Sequence, residues 1–230
     1  NPELIAYDSM QKIYNKSDNV TFIVVPKDGN VFTQEHLSAL KALTKKSWQV
    51  PYSTRVDSLT NFQYTYAEED DMIVEDLVMN ASVLSATDLA KIKTIALNEP
   101  QLANKIVSQT GHVSVVDVAV KLPGLDPTGE VPEVVSYVRK LKEDFLTANP
   151  GTQIHLSGMV MMNNAFAESA MTDGTTLVPL MFLTVIVIIG LLLRTISGTF
   201  ATVLIVFMSI AGAMGLAGWM GFYLSGPSSS

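Results

Sequence analysis

The feature that most restricts the fold is a stretch of 57 residues, 174–230, that holds a single charged side chain, Arg194. Residues 1–173 hold 14 of the 15 basic residues and all 22 acidic residues. Water-soluble proteins carry charge throughout their surfaces, so a stretch this long with one charge excludes a purely cytosolic globular protein. We therefore divide the chain into a soluble domain, residues 1–173, and a membrane portion, residues 174–230.

Two apolar runs in the membrane portion are long enough to cross a bilayer. Residues 174–193 contain no charge, and about 20 helical residues span a hydrocarbon core of ~30 Å. Residues 199–222 form a second run that is long enough to span with some tilt. Only residues 194–198 lie between the runs. The sequence thus predicts two transmembrane helices, at about 174–193 and 199–222, joined by a tight turn.

Arg194 determines the expected topology. It lies in the short turn, and no Lys or Arg lies between Lys142 and Arg194. Because cytoplasmic loops are enriched in Lys and Arg, the turn is expected in the cytoplasm. The acidic domain of residues 1–173 is then expected on the other side, in the periplasm or outside the cell.

Small residues repeat along the second span. Ser209, Ala213, Ala217 and Gly221 follow one another at a four-residue spacing. Helices associate in lipid through close backbone approach, so such a stripe is a candidate packing seam. The helix that packs against this seam could either move during function or hold a fixed position. Neither span contains Asp, Glu, Lys or His, so the titratable groups of an ion relay are expected outside this segment.

The soluble domain shows strand, helix and strand twice. Apolar runs and alternation predict strands near residues 22, 54, 113 and 154, with helices over about 33–47 and 132–147. Two such units in one sheet give an α+β, ferredoxin-like (split β-α-β) arrangement. Residues 60–110 are then an excursion between the halves, with helical stretches near 87–98 and 100–107. A helical pattern at 159–172 can continue into the first span.

The polar residues indicate no catalysis, cofactor or metal. The acidic run 68–76 could bind a hard cation, but we expect a solvated loop, because consecutive carboxylates do not all point at one ion. His36, His112 and His155 are isolated in sequence and are expected at the surface or on an edge strand. With no Cys, thiolate chemistry and Cys-based zinc sites are excluded. A net charge of −7 argues against nucleic-acid binding.

Five segments of the chain are typical of one known family. The segments are Val56–Gln63 (VDSLTNFQ), Glu69–Val78 (EDDMIVEDLV), Leu97–Ser108 (LNEPQLANKIVS), Asn164–Glu168 (NAFAE) and Leu177–Leu180 (LVPL). In this order they resemble the periplasmic loop of resistance–nodulation–division (RND) exporters, in the branch of predicted lipid exporters related to the large mycobacterial membrane proteins. The similarity covers essentially the whole chain.

The resemblance implies a place for this chain within a larger protein. In the family, a periplasmic loop with ferredoxin-like porter subdomains follows the first transmembrane helix, and a short cytoplasmic turn joins the second and third helices. This chain would then run from just after the first helix to just after the third. The family's proton-relay Asp lies on the fourth helix, past Ser230. The helices from the second onward also resemble a sterol-sensing domain, and family members often form oligomers.

Two functions remain open on the sequence alone. The first is a segment of a proton-driven exporter of hydrophobic or lipid-like substrates in the bacterial inner membrane. Its partners would be the bilayer, the remaining helices of the parent protein, the substrate and further copies of itself. The alternative is an extracytoplasmic lipid-binding or sensing module that the hairpin anchors and that transports nothing.

Overall fold

The computed structural model describes residues 18–68 and 71–221, together with Glu3, Ala6 and Met10. Glu69 and Asp70 of the acidic run, and the predicted end of the second span at residue 222, lie outside the described residues. The chain forms two compact units, Asn1–Asn164 and Ala165–Ser230.

The first unit is built around a four-stranded antiparallel sheet with the order β2-β5-β1-β6. A separate two-stranded sheet pairs β3 with β4. The strands are β1 (Asp18–Pro26), β2 (Ser53–Ser58), β3 (Gln63–Glu68), β4 (Asp71–Asp76), β5 (Ser114–Val120) and β6 (Thr152–Ser157). The helices are α1 (Gln34–Ser47), α2 (Ala86–Asn98), α3 (Pro127–Ala148), α4 (Met159–Leu193) and α5 (Ile196–Trp219), with a 3₁₀ turn at Ala81–Val83.

One face of the sheet forms the core with α1 and α3. Alternate residues of β1 and β5 are fully buried, as the period of two in a strand requires. The helices contribute residues three and four apart, which share one side of a helix. The core residues concerned are Val20, Phe22, Val24, Val116 and Val118 from the strands, and Leu37, Leu40, Leu43, Val134 and Val138 from the helices.

Side-chain caps explain where the helices begin. Thr33 accepts a hydrogen bond from the His36 backbone N–H at 3.2 Å and so starts α1 at the predicted place. Asp126 caps α3 in the same way, with Pro127 in the first turn. The predicted start of α3 at residue 132 is wrong by five residues, because Pro132 lies inside the helix rather than at its first turn.

Two predictions for residues 60–110 are wrong. Residues 100–107 form turns rather than a helix, since Leu102 and Val107 are drawn into the core and Asn104 adopts a left-handed backbone with φ of 60°. The described part of the acidic run is not a loop either, because Asp71–Asp76 form strand β4 paired with β3. The helix predicted near 87–98 is confirmed as α2.

Candidate functional site

The second unit contains the turn that carries Arg194. Helix α4 ends at Leu193 and α5 begins at Ile196, so only two residues separate them. The predicted five-residue turn is therefore too long. Arg194 adopts a left-handed backbone with φ of 50°, and its N–H donates to the Gly190 carbonyl at 3.0 Å. This conformation ends a helix, and it leaves the Arg194 side chain exposed.

Helices α4 and α5 face each other in register from the turn outward. Close to the turn, a Cβ on Gly190 would lie 3.7 Å from the Thr199 hydroxyl. Further along, the rings of Phe182 and Phe207 stack with centroids 6.1 Å apart. A groove of about 620 Å³ beside the turn is lined by Ile186, Gly190, Arg194, Thr195, Ile196, Thr199, Phe200 and Val203.

Three residues of the predicted packing seam lie further along α5, where Ser209 and Ala213 are exposed and Ala217 is half-buried. Gly221 lies two residues past the end of α5 at Trp219 and has φ of 75°, so the helical four-residue spacing does not extend to it. The second helix thus ends three residues before the predicted residue 222. The neighbouring glycines Gly212, Gly215 and Gly218 face open space, with no atom within 4 Å of a Cβ built on them. Within the described part of the chain, no other helix therefore packs on these three glycines.

Both helices have the length and composition of membrane spans. Helix α4 has 35 residues and α5 has 24, and the most apolar windows of both are exposed rather than buried within the protein. Large apolar side chains such as Leu192, 78% exposed, and Phe200, 70% exposed, point away from the chain. Side chains of this kind need lipid or other helices as their surroundings.

In the first unit, His36 departs from its predicted surface location. It is only 4% exposed, in the first turn of α1, and its Nε2 lies 2.9 Å from the Ser114 hydroxyl on β5. Burial lowers the pKa of His36 to about 4, and Asp28 offsets part of this effect. The surface prediction is confirmed for His112 and for His155, which lies on the edge strand β6.

This buried histidine predicts a pH-dependent stability. The folded-state pKa of His36 is about 4, below the ordinary histidine value of 6.5, so the unfolded state binds more protons between these two pH values. The contribution of His36 to the free energy of unfolding is therefore complete above pH 6.5. It falls by about 3 kcal/mol as the pH drops to 4. Urea unfolding of the detergent-solubilised chain between pH 7 and pH 4 measures this change in the free energy of unfolding.

The matched variants for this prediction are His36→Gln and His155→Gln. The His36→Gln variant should lose the component between pH 6.5 and pH 4, while His155→Gln should keep it, because His155 is exposed. Equal pH slopes in the two variants would contradict the assignment to His36.

Glu130 is a carboxylate that several backbone groups hold in place. It accepts hydrogen bonds from the backbone N–H groups of Gly124, Leu125 and Asp126, each at 2.9 Å. These bonds lower the pKa of Glu130. The carboxylate thereby fixes the loop before α3, which is a structural role. Across residues 18–68 and 71–221, no three His, Asp or Glu side chains come together as a metal site.

The first unit followed by two exposed apolar helices defines the chain as part of a membrane protein. The sequence profile described as "MMPL family" matches residues 2–226, and the chain belongs to this family, within the RND superfamily. A search of curated proteins found no match. Members of the family are transporters rather than enzymes, so this is an exporter-type membrane segment, and the sensing alternative is not favoured.

Proposed function

We propose that the chain is part of a proton-driven exporter of hydrophobic or lipid-like molecules. The observation that carries the proposal is the family match over residues 2–226, on a chain whose two apolar runs, residues 174–193 and 199–222, lack any charge. Uncharged spans cannot relay protons themselves. They transmit movement from helices elsewhere in the parent protein, while the soluble domain guides the substrate.

The proposed arrangement places residues 1–173 in the periplasm and the hairpin, residues 174–230, in the inner membrane. Arg194 then lies at the cytoplasmic end, which follows from the positive-inside rule. We also propose that the soluble domain is a ferredoxin-like porter subdomain. The order β2-β5-β1-β6, with α1 and α3 each joining two strands of the sheet, supports this assignment.

Transport by the full-length parent protein tests the proton coupling. The RND resemblance places a relay Asp on the fourth transmembrane helix, outside residues 1–230. Proteoliposomes with an imposed proton gradient should export a fluorescent lipid with wild-type protein and lose export when that Asp is replaced by Asn. Undiminished export by the Asn variant would rule out coupling at this residue.

We propose Ser209, Ala213 and Ala217 as the seam on which another helix of the parent protein packs. Replacing Ala213 by Leu should weaken that packing by about 1–3 kcal/mol, because the added side chain separates the backbones. The measurement is the thermal stability and transport rate of the full-length protein. Lost transport with unchanged stability indicates a moving partner, and loss of both indicates static packing.

The matched control is Ala211→Leu, the same substitution two residues away on a different side of α5. It should leave both measurements close to wild type. If Ala213→Leu behaves like this control, the seam does not contact another helix.

A further inference from the structure

Residues 60–110, the insertion between the two strand–helix–strand units of the soluble domain, form a groove of their own. The β3–β4 hairpin, the 3₁₀ turn and α2 surround a cavity of about 290 Å³. Its apolar wall includes Leu77 and Ile92, both nearly fully buried, and its rim includes Met79 and Val83, which are 64% and 71% exposed. An open groove with a buried apolar floor has the form of a small-molecule site.

Two aromatic rings form another part of the wall. Tyr64 and Tyr66 are half-buried and stack with their centroids 5.7 Å apart. The Lys91 ammonium lies 5.6 Å from the centroid of the Tyr66 ring. A cation at this distance from a ring is attracted by its negative face. The protein's own lysine thus shows that this aromatic wall accepts a positive charge.

The polar lining of the groove is predominantly acidic. The carboxylates of Glu75 and Asp88 line it, against a single amine from Lys91. Glu75 accepts a hydrogen bond from the Tyr66 hydroxyl at 3.1 Å, which holds its carboxylate beside the rings. The Asp76 carboxylate instead accepts a hydrogen bond from Gln63 on the opposite face of the hairpin. Residues 56–90 contain no Lys or Arg at all. The groove therefore attracts cations and repels anions.

We infer that this groove binds the cationic head group of an amphiphile, with the tail on the apolar rim of Met79 and Val83. Carboxylates and tyrosine rings together recognise a quaternary ammonium or a primary amine, and the apolar floor rejects a fully hydrated ion. This inference deepens the proposed function and depends on it only for the statement that the bound amphiphile is cargo.

Binding to the full chain in micelles of an uncharged maltoside detergent, which carries no ammonium group, tests the inference. The probes are hexyltrimethylammonium and hexanesulfonate, which share a tail and differ in the sign of the head group, and empty micelles give the partition background. Ligand-observed NMR measures the dissociation constants. The ammonium should bind at least about tenfold more tightly than the sulfonate. Equal affinity for the two probes would overturn the inference.

Matched variants locate the site. Glu75→Gln keeps the hydrogen-bond acceptor for the Tyr66 hydroxyl and should weaken binding of the ammonium about tenfold. Glu143→Gln makes the same charge change on an exposed residue of α3 and should leave the affinity unchanged. Equal effects of the two variants would contradict a site in the groove.

A third variant should gain affinity, which misfolding cannot imitate. Lys91→Gln removes the resident cation from the Tyr66 ring and should tighten binding of the ammonium about threefold. Weaker or unchanged binding would contradict the inference.

These binding measurements do not depend on whether the parent protein transports anything. If the parent protein exports a neutral lipid but its groove does not bind the ammonium, only the present inference fails, whereas binding without export defeats only the proposed function.

Discussion

Replacing Gly158 by Ala should destabilise the first unit by about 3 kcal/mol or more. Gly158 connects β6 to α4 with φ of 106°, a conformation that residues with a side chain rarely adopt. A Cβ at this position would lie 2.5 Å from the Asn19 carbonyl oxygen, which is backbone of the central strand and cannot rotate away. Hydrogen exchange of the β1 amides in nanodisc-embedded protein measures the loss.

Gly151→Ala is the matched control for this prediction. Gly151 lies just before β6, and no atom lies within 4 Å of a Cβ built on it. The same substitution there should change stability by less than about 1 kcal/mol. Similar protection of β1 in the two variants would contradict the strained connection at Gly158.

An aspartate at the centre of the first apolar run should lower its membrane insertion by about 3 kcal/mol, which is roughly a hundredfold in the equilibrium constant. Val185 is suitable because it is 45% exposed on α4, so its replacement breaks little internal packing. The Val185→Asp variant places a carboxylate in hydrocarbon with no partner. Insertion of the full chain into microsomes, scored by glycosylation of tags on either side, measures the effect.

Two variants control for depth and for substitution at this position. Thr175→Asp puts the same charge near the end of the apolar run, where the cost should be below about 1 kcal/mol because the carboxylate reaches the interface. Val185→Leu should insert like wild type. If Val185→Asp inserts as well as Val185→Leu, this part of α4 does not lie within the bilayer.

The parts of the fold that follow from local patterns could be predicted from the sequence. The alternation of Val116, Val118 and Val120 identifies β5, because burial on one face of a strand imposes a period of two. The cap at Thr33 and the leucines that follow identify α1. The single charge in residues 174–230 identifies the hairpin without any knowledge of tertiary contacts.

The parts that depend on distant residues could not be predicted. His36 is buried because β5 brings Ser114 to its ring from 78 residues away, and nothing near His36 in the sequence indicates this. The β3–β4 hairpin was not predicted because the acidic residues around 70 are typical of a solvated loop. Its apolar and aromatic face, which includes Tyr64, Tyr66 and Ile73, forms only when the two strands pair. The groove forms between α2 and the β3–β4 hairpin, which bring Lys91 and Tyr66 together from 25 residues apart.

The topology of the hairpin is tested most directly by site-specific labelling. The chain contains no cysteine, so Ser136→Cys on the exposed side of α3 and Ile196→Cys beside Arg194 each give a single reactive thiol. A membrane-impermeant maleimide added to spheroplasts should label residue 136 at once, and residue 196 only after the membrane is permeabilised. Labelling of both residues from the same side of the intact membrane would contradict the hairpin and, with it, the proposed exporter.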